Sequence, residues 1–190
     1  MSNNLTFHRY NAEAARERRE LVEDVFRRSY AAAIDSGDPF EDPAAFMIRF
    51  DAYTAPGRSE GFELIIVSVD DIVAGQTWGW PLKPQATWWN GLRLDDPDLD
   101  HDEFITETGH RTFALSEIMV DRAFTRRGIA TALHDELLGS RTETRASLLV
   151  EPENAAYKAY RRWGWERVGT LTTHWPNTPT FDVLMYALGR

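Results

Sequence analysis

Apolar and polar residues follow two patterns along this chain of 190 residues. Short, dense apolar runs bounded by turn residues are typical of strands, and apolar residues spaced three or four positions apart are typical of helices. The dense runs predict strands at residues 5–10, 62–69, 72–80, 113–120, 146–150, 166–173 and 181–188, and Asp70-Asp71 predicts a hairpin turn between the second and the third, although the preferred glycine is absent. The helical spacing predicts helices at residues 13–34, 43–53, 128–138 and 154–163.

The order of these elements indicates the fold class. In the second half of the chain the order strand, helix, strand, helix, strand predicts a parallel pair of strands inside a mixed sheet. We therefore predict one α/β (α+β) domain over residues 1–190, with a mixed central sheet of six to seven strands and about four flanking helices. Residues 81–111 form a long irregular stretch with a short helix near 102–106, and a loop of this length is usually functional or mobile.

Composition excludes several classes of protein. The chain has no cysteine, which rules out disulfides, thiolate metal sites and a cysteine nucleophile. A net charge of −9 argues against general nucleic-acid binding, because phosphate tracking needs a basic face. We find no signal-peptide pattern, no apolar run long enough to span a bilayer and no metal-ligand spacing among the histidines. We expect a cytoplasmic protein without a membrane partner or a metal.

One basic segment stands out against this acidic background. It follows the apolar run 113–120 and leads into the helical pattern that begins at residue 128, and it consists of Arg126, Arg127, Gly128, Ile129, Ala130 and Thr131. The first N–H groups of a helix have no partner inside the helix and lie at the positive end of its dipole. Gly128 lets the backbone approach a bulky anion closely. The segment therefore predicts a site for a phosphate-bearing ligand.

This segment resembles the phosphate loop of the GNAT superfamily of acetyl-CoA-dependent N-acetyltransferases, whose pattern is Arg/Gln-x-x-Gly-x-Gly/Ala. Here Thr125 stands at the first position, while Gly128 and Ala130 match the last two. A second element of the family follows downstream, where Tyr160 stands four residues before Gly164. Trp165 replaces the family's phenylalanine in that element. The resemblance implies the GNAT fold for the whole chain.

The resemblance also implies a ligand and its contacts. Acetyl-CoA would be the cosubstrate, and the backbone amides of residues 126–131 would hold its pyrophosphate. The end of the strand 113–120, with Met119 and Val120, would bind the pantetheine arm. Asn154 would contact CoA as well, although it lies one residue closer to the family tyrosine than is usual.

Acetyl transfer from a thioester to an amine needs a base, an oxyanion donor and a proton for the leaving sulfur. Glu117 is the first candidate for the base, since an apolar strand raises the pKa of a carboxylate; Glu151 is the second. The N–H of Val120 would polarise the thioester carbonyl. Tyr160 would protonate the sulfur, and Tyr157, three residues earlier on nearly the same helical face, is its competitor.

Substrate contacts are predicted from aromatic and acidic residues. Trp78, Trp80 and Trp88 are candidate substrate contacts, because aromatic walls accept cationic or apolar groups; core packing is the alternative for Trp78 and Trp80. Glu151 is a fourth candidate substrate contact. The acidic run 95–103 is a solvated loop, an attractant for a cationic amine, or a docking site for a basic protein.

The sequence thus predicts an acyltransferase that acetylates a primary amine of a small molecule or a protein by direct attack in a ternary complex. A non-catalytic acyl-CoA-binding or sensor module and a protein-interaction module built on residues 95–103 are the alternatives. The oligomeric state stays open, and a homodimer is among the states allowed.

Overall fold

A computed structural model describes residues 4–58 and 60–189. Within these residues the chain forms eight strands: β1 (Leu5–Tyr10), β2 (Glu63–Val69), β3 (Ile72–Pro81), β4 (Arg93–Leu94), β5 (Thr112–Val120), β6 (Arg145–Val150), β7 (Glu166–Thr172) and β8 (Thr180–Ala187). The helices are α1 (Ala12–Arg16), α2 (Arg19–Ser29), α3 (Ala31–Ser36), α4 (Pro43–Thr54), α5 (His101–Ile105), α6 (Ile129–Leu138) and α7 (Tyr157–Arg162), with a 3-10 helix at Arg122–Phe124. None of the helices in these two ranges is long and apolar enough to cross a membrane.

The chain divides into two compact units. The first extends to Trp80 and includes Leu115–Ser140, and the second comprises Pro81–Ala114 and the chain from Arg141 onward. The strand order is β1-β2-β3-β5 in the first unit and β5-β6-β8-β7-β4 in the second, so that β5 contributes to both and the eight strands form one mixed sheet.

The strand directions confirm the predicted fold class. Strands β5 and β6 are parallel, while β1–β2, β2–β3, β6–β8, β7–β8 and β4–β7 are antiparallel pairs. The strand count exceeds the predicted six to seven because of β4. This strand has two residues, paired with β7 through Arg93↔Thr170 and Leu94↔Gly169, and two residues are too few to show an alternating pattern.

The core of the first unit is aromatic. Strand β3 contributes Trp78, and α2 and α4 contribute Phe26, Phe46 and Phe50. The rings of Phe26 and Phe46 stack with centroids 3.8 Å apart, and Phe50 meets Trp78 edge-on at 5.5 Å. These contacts pack α2 and α4 on the face of the sheet that also carries Met119 of β5.

The predicted long helix over residues 13–34 is wrong, because the chain forms three helices there. The breaks fall at Arg18 and Tyr30, both with φ near −105° and ψ near 18°. The guanidinium of Arg18 lies over the ring of Tyr10, 3.9 Å from its centroid, and Tyr30 stacks on Phe26 at 5.1 Å. Neither break carries a glycine or proline, so the sequence offers no signal for them.

The hairpin turn between β2 and β3 is confirmed without a glycine. Asp70 and Asp71 adopt positive φ angles of 48° and 67°. Aspartate is among the few non-glycine residues that tolerate this region, because its short side chain hydrogen-bonds locally. Two consecutive residues with positive φ give the turn whose twist matches that of the strands it joins.

Helix α7 is shorter at its start than the predicted 154–163. The side chain of Asn154 accepts a hydrogen bond from the N–H of Ala156 at 2.8 Å, and the N–H of Tyr157 donates to the carbonyl of Asn154 at 3.0 Å. These bonds form a turn that leads into the helix. The predicted short helix at 102–106 is present as α5.

Candidate functional site

The predicted phosphate loop in the first unit has an unusual backbone. Arg126 and Gly128 have positive φ angles of 62° and 77°. Gly128 is the N-cap of α6 and provides no side-chain cap. The first hydrogen bond of the helix joins the N–H of Ala132 to the carbonyl of Gly128 at 3.0 Å. The N–H groups of residues 129–131 therefore precede the helical ladder, as an anion site requires.

Open space adjoins Gly128 at this helix start. A Cβ atom added to Gly128 would meet nothing within 4 Å. The side chain of Thr125 is used by the loop itself, since its hydroxyl donates to the carbonyl of Arg122 at 3.1 Å. The guanidinium of Arg127 lies 5.2 Å from the centroid of the Phe124 ring. The loop thus offers backbone N–H donors and flanking positive charge to a ligand. The hydroxyl of Thr125 instead bonds within the loop.

Strand β5 leads into this loop and meets β3 closely. A Cβ atom on Gly75 would lie 2.5 Å from the carbonyl oxygen of Met119, so only glycine fits there. The hydroxyl of Thr77, fully buried, donates to the carbonyl of Glu117 at 2.7 Å. Met119 is buried, whereas Val120 is partly exposed at the end of the strand. These contacts fix the backbone that carries both the candidate base and the candidate oxyanion donor.

The carboxyl of Glu117 has the perturbed pKa expected of a base in this position. Its side chain is only partly exposed. Burial raises its pKa to about 8; the negative charge of Glu41 adds to the rise and the positive charge of Arg49 opposes it. A group with a pKa near physiological pH can both accept and release a proton.

Arg49 and Glu41 are the parts of this site that the sequence reasoning missed. Arg49 lies 6% exposed, 4.0 Å from the Glu41 carboxylate, and donates to the carbonyl of Phe40 at 2.8 Å. Its guanidinium is 3.9 Å from the centroid of the Phe40 ring. The available signal was a lone charge in the apolar stretch 46–50 of α4, because a buried charge requires a partner.

Two predicted substrate contacts lie in the first unit. Trp78 is 1% exposed and belongs to the aromatic core. Trp80 is partly exposed, with its ring 4.7 Å from that of Tyr53 and 6.2 Å from that of Phe62. Of the two, Trp80 presents the more accessible surface.

The second unit carries the two tyrosines. The hydroxyl of Tyr157 donates to Asp182 at 2.7 Å, and its pKa is raised by burial and by the charge of that carboxylate. Tyr160 is 9% exposed and lies edge-on to Trp163 and Trp165, with centroids 5.5 Å and 6.3 Å away. A phenol that already donates to a carboxylate and has a raised pKa is the poorer proton donor, which favours Tyr160.

The remaining predicted residues also belong to the second unit. The side-chain oxygen of Asn154 holds its own turn. The indole N–H of the partly buried Trp88 donates to the hydroxyl of Ser147 at 3.1 Å. Glu151 is partly exposed and directly follows β6. No contact with a ligand is needed to explain the positions of Asn154 and Trp88.

The acidic run 95–103 has an internal structural use. The carboxylate of Asp96 accepts from the N–H of Asp98 at 2.9 Å, and that of Asp100 caps α5 by accepting from the N–H of Glu103 at the same distance. Asp95 pairs with Arg167. Much of this charge run thus serves turns and a helix cap, as short acidic side chains often do.

Comparison with known proteins points to the same family as the loop. Residues 104–174 match the family model described as "Acetyltransferase (GNAT) domain". No curated protein matches the chain by sequence.

Solved structures match over almost the whole chain. A proposed acetyltransferase of the GNAT family from Desulfovibrio desulfuricans is 14% identical, with a TM-score of 0.63 over 97% of this chain and 99% of that one. An acetyltransferase from Thermus thermophilus is 12% identical, with a TM-score of 0.60 over 97% of both chains. The PaiA N-acetyltransferase from Thermoplasma acidophilum, in complex with coenzyme A, is 11% identical, with a TM-score of 0.56 over 98% of this chain and 99% of that one. Residues 104–174 thus match an acetyltransferase (GNAT) domain, and almost the whole chain shares the fold of these solved acetyltransferases.

Proposed function

We propose that this protein transfers the acetyl group of acetyl-CoA to a primary amine by direct attack within a ternary complex. The observation that carries the proposal is the start of α6, where three backbone N–H groups have no helical partner and the Cα of Gly128 borders open space. This arrangement fits a pyrophosphate, because it combines backbone donors, the helix dipole and two arginines. The coenzyme A bound to the Thermoplasma acidophilum relative supports the same ligand.

Each step of the reaction has a candidate group in this chain. Acetyl-CoA supplies an acetyl group as a thioester. The carboxylate of Glu117 takes a proton from the attacking amine, directly or through water. The N–H of Val120 stabilises the negative charge on the carbonyl oxygen while the new C–N bond forms. The hydroxyl of Tyr160 gives a proton to the sulfur as the C–S bond breaks, so the products are an acetamide and the CoA thiol.

The acceptor is proposed to be a cationic amine, free or on a protein. In the first unit the negative charge of Glu41 adds to the raised pKa of Glu117, and an ammonium group beside Glu117 would favour its ionised form. The net charge of −9 attracts such substrates over longer distances. The indole of Trp80, partly exposed, is a further candidate contact for a cation.

Binding and turnover together test this proposal. Titration calorimetry is expected to detect acetyl-CoA binding to the purified protein, and a panel of amines is expected to include at least one that releases CoA thiol. The panel should contain polyamines, amino sugars and peptides with free amino termini or lysines. Absence of acetyl-CoA binding would refute the proposal. Binding without turnover on any amine would favour a non-catalytic acyl-CoA sensor.

The two tyrosines are expected to respond differently to loss of the hydroxyl. Tyr160→Phe should lower kcat about tenfold while the KM for acetyl-CoA stays nearly constant, because sulfur protonation is assisted only in the transition state. Tyr157→Phe removes a hydrogen bond to Asp182 and should cost about 1 kcal/mol of folding stability, with kcat retained. Steady-state kinetics and thermal unfolding of both variants measure this. A larger kcat loss in Tyr157→Phe would reverse the assignment.

A further inference from the structure

Arg28 connects helix α2 to the sheet beside the phosphate loop, all within the first unit. One guanidinium nitrogen donates to the carbonyl of Val73 at 3.1 Å and also bonds the carboxylate of Asp121. Its Nε donates to Asp24, one turn earlier in α2, at 3.0 Å. The arginine is thereby fixed from its own helix, from β3 and from the residue that follows β5.

Asp121 begins the segment 121–128, which joins β5 to α6 and contains the start of the phosphate loop. Both of its carboxylate oxygens accept hydrogen bonds. Oδ1 accepts from the N–H of Ala123 at 2.9 Å and caps the 3-10 helix. Oδ2 bonds Arg28. The N–H of Asp121 donates to the carbonyl of Ala74 at 2.9 Å. With 7% exposure, this carboxylate depends on those partners, because a buried charge without them is costly.

Strand β3 and helix α2, which Arg28 and Asp121 connect, are fixed by further contacts. The register of β2 with β3 shifts at Ala74, so that Gly75 faces Val67 while Val73 faces Ser68. The bulge turns the carbonyls of two successive residues toward Asp121 and Arg28. The side-chain amide of Gln76, fully buried, donates to the carbonyl of Val22 in α2 at 3.0 Å. Bulges of this kind are built features that redirect a strand.

We propose that Arg28 is a positioning residue for acetyl-CoA binding, acting through Asp121 on the start of the loop that leads to Gly128. The inference rests on the proposed role of that loop as the pyrophosphate site. Arg28 is not required to touch the ligand. Removing the charge of Arg28 would leave the Asp121 carboxylate without its ion pair. The carboxylate would then shift, and the 3-10 helix that it caps would lose its fixed geometry. Small displacements of ligand-binding groups are costly for affinity and rate.

Arg28→Met is the primary test, and Arg27→Met is its matched control. Arg27 lies next to Arg28 in α2 and makes a similar pair one turn back, with Glu23 at 2.7 Å, on the exposed face. We expect Arg28→Met to weaken acetyl-CoA binding about tenfold in calorimetry and Arg27→Met to change it less than about twofold. The KM for the acceptor amine should change little in either variant.

A double-mutant cycle with Asp121→Asn separates positioning from general destabilisation. The asparagine keeps an oxygen for the N–H of Ala123 but loses the charge that Arg28 meets. If Arg28 acts through Asp121, the double variant should bind acetyl-CoA about as tightly as either single variant. Arg28→Lys should recover part of the affinity, since it restores the charge but not the fork of donors.

The outcomes are distinct. Wild-type protein that fails to bind acetyl-CoA would remove the proposed function itself. If the wild type binds acetyl-CoA and Arg28→Met binds it with an affinity within about twofold of wild type, the role of Arg28 alone is overturned. Strictly additive losses of affinity in the double variant would overturn it as well. Should Arg28→Met not fold, Asp121→Asn and Arg28→Lys give the same comparison.

Discussion

Glu117→Gln is expected to lower kcat/KM for the amine by about a hundredfold to ten-thousandfold, which is the typical contribution of a general base. Glutamine is nearly the same size and keeps a carbonyl oxygen, so the local packing should persist. It cannot accept a proton at any accessible pH. The affinity for acetyl-CoA, measured by calorimetry, should stay within about twofold of wild type, because the carboxyl is not proposed to bind the pyrophosphate.

The pH dependence of the same reaction identifies the group that titrates. Because the pKa of Glu117 is raised to about 8, the carboxylate is the minor form at neutral pH. In the free enzyme kcat/KM should therefore rise about tenfold per pH unit below this value and level off above it. This limb should be absent in Glu117→Gln, and any limb left at higher pH would report the amine of the substrate. An unchanged limb near pH 8 in the variant would assign the base elsewhere, with Glu151 next in line.

The stability of the fold should follow the opposite trend with pH. Between the ordinary glutamate pKa of 4.5 and the folded value of about 8, the folded protein holds a proton on Glu117 that the unfolded chain has released. This group's contribution to folding stability is therefore complete below the unfolded pKa and is lost as pH rises toward the folded one. The Tm of Glu117→Gln relative to that of wild type should therefore rise between pH 5 and pH 8.

Glu41→Gln provides a control in the opposite direction. Removing the negative charge of Glu41 leaves Arg49 as the charge that acts on Glu117, and the pKa of Glu117 should fall. The acid limb of kcat/KM should move to lower pH while the plateau survives. A shift to higher pH would show that Glu41 acts on the site in a way other than through its charge.

The sequence predicted the parts of this protein that depend on local pattern. The parallel pair β5–β6, the hairpin at Asp70 and Asp71 and the helix beginning after Gly128 each follow from apolar periodicity or turn chemistry. The breaks at Arg18 and Tyr30 carry neither glycine nor proline, and at the first of them the Arg18 guanidinium lies over the ring of Tyr10 in β1. Such tertiary contacts override local propensity and leave no mark in the periodicity.

The same division applies to the candidate site. Glu117 and Gly128 could be chosen as candidates because an acid in an apolar strand and a glycine at a helix start are visible in one sequence. The residues that tune or support them are distant in sequence, since Arg49 influences Glu117 from α4 and Arg28 meets Asp121 from α2. Pairings of this kind are formed by the fold and cannot be derived from spacing along a single chain.

Gly128→Val is expected to weaken acetyl-CoA binding about thirtyfold or more, because two effects add. A residue with a Cβ atom loses about 1–2 kcal/mol in the left-handed region, and Gly128 has φ 77°. The free loop would therefore relax toward negative φ, and ligand binding would have to reverse that change. The two methyl groups would also occupy the open space where the backbone must approach the pyrophosphate. Calorimetric titration with acetyl-CoA and with CoA measures the loss.

Gly37→Val separates strain from ligand contact. Gly37 ends α3 with the same φ of 77°, and a Cβ atom added there also meets nothing within 4 Å. Both valine variants should lose similar folding stability in thermal unfolding, whereas only Gly128→Val should lose affinity. Thr125→Ala should have a smaller effect on affinity than Gly128→Val, because the threonine hydroxyl is bonded to the carbonyl of Arg122. Equal losses in Gly128→Val and Thr125→Ala, or an equal loss in Gly37→Val, would contradict a cradle built from backbone amides.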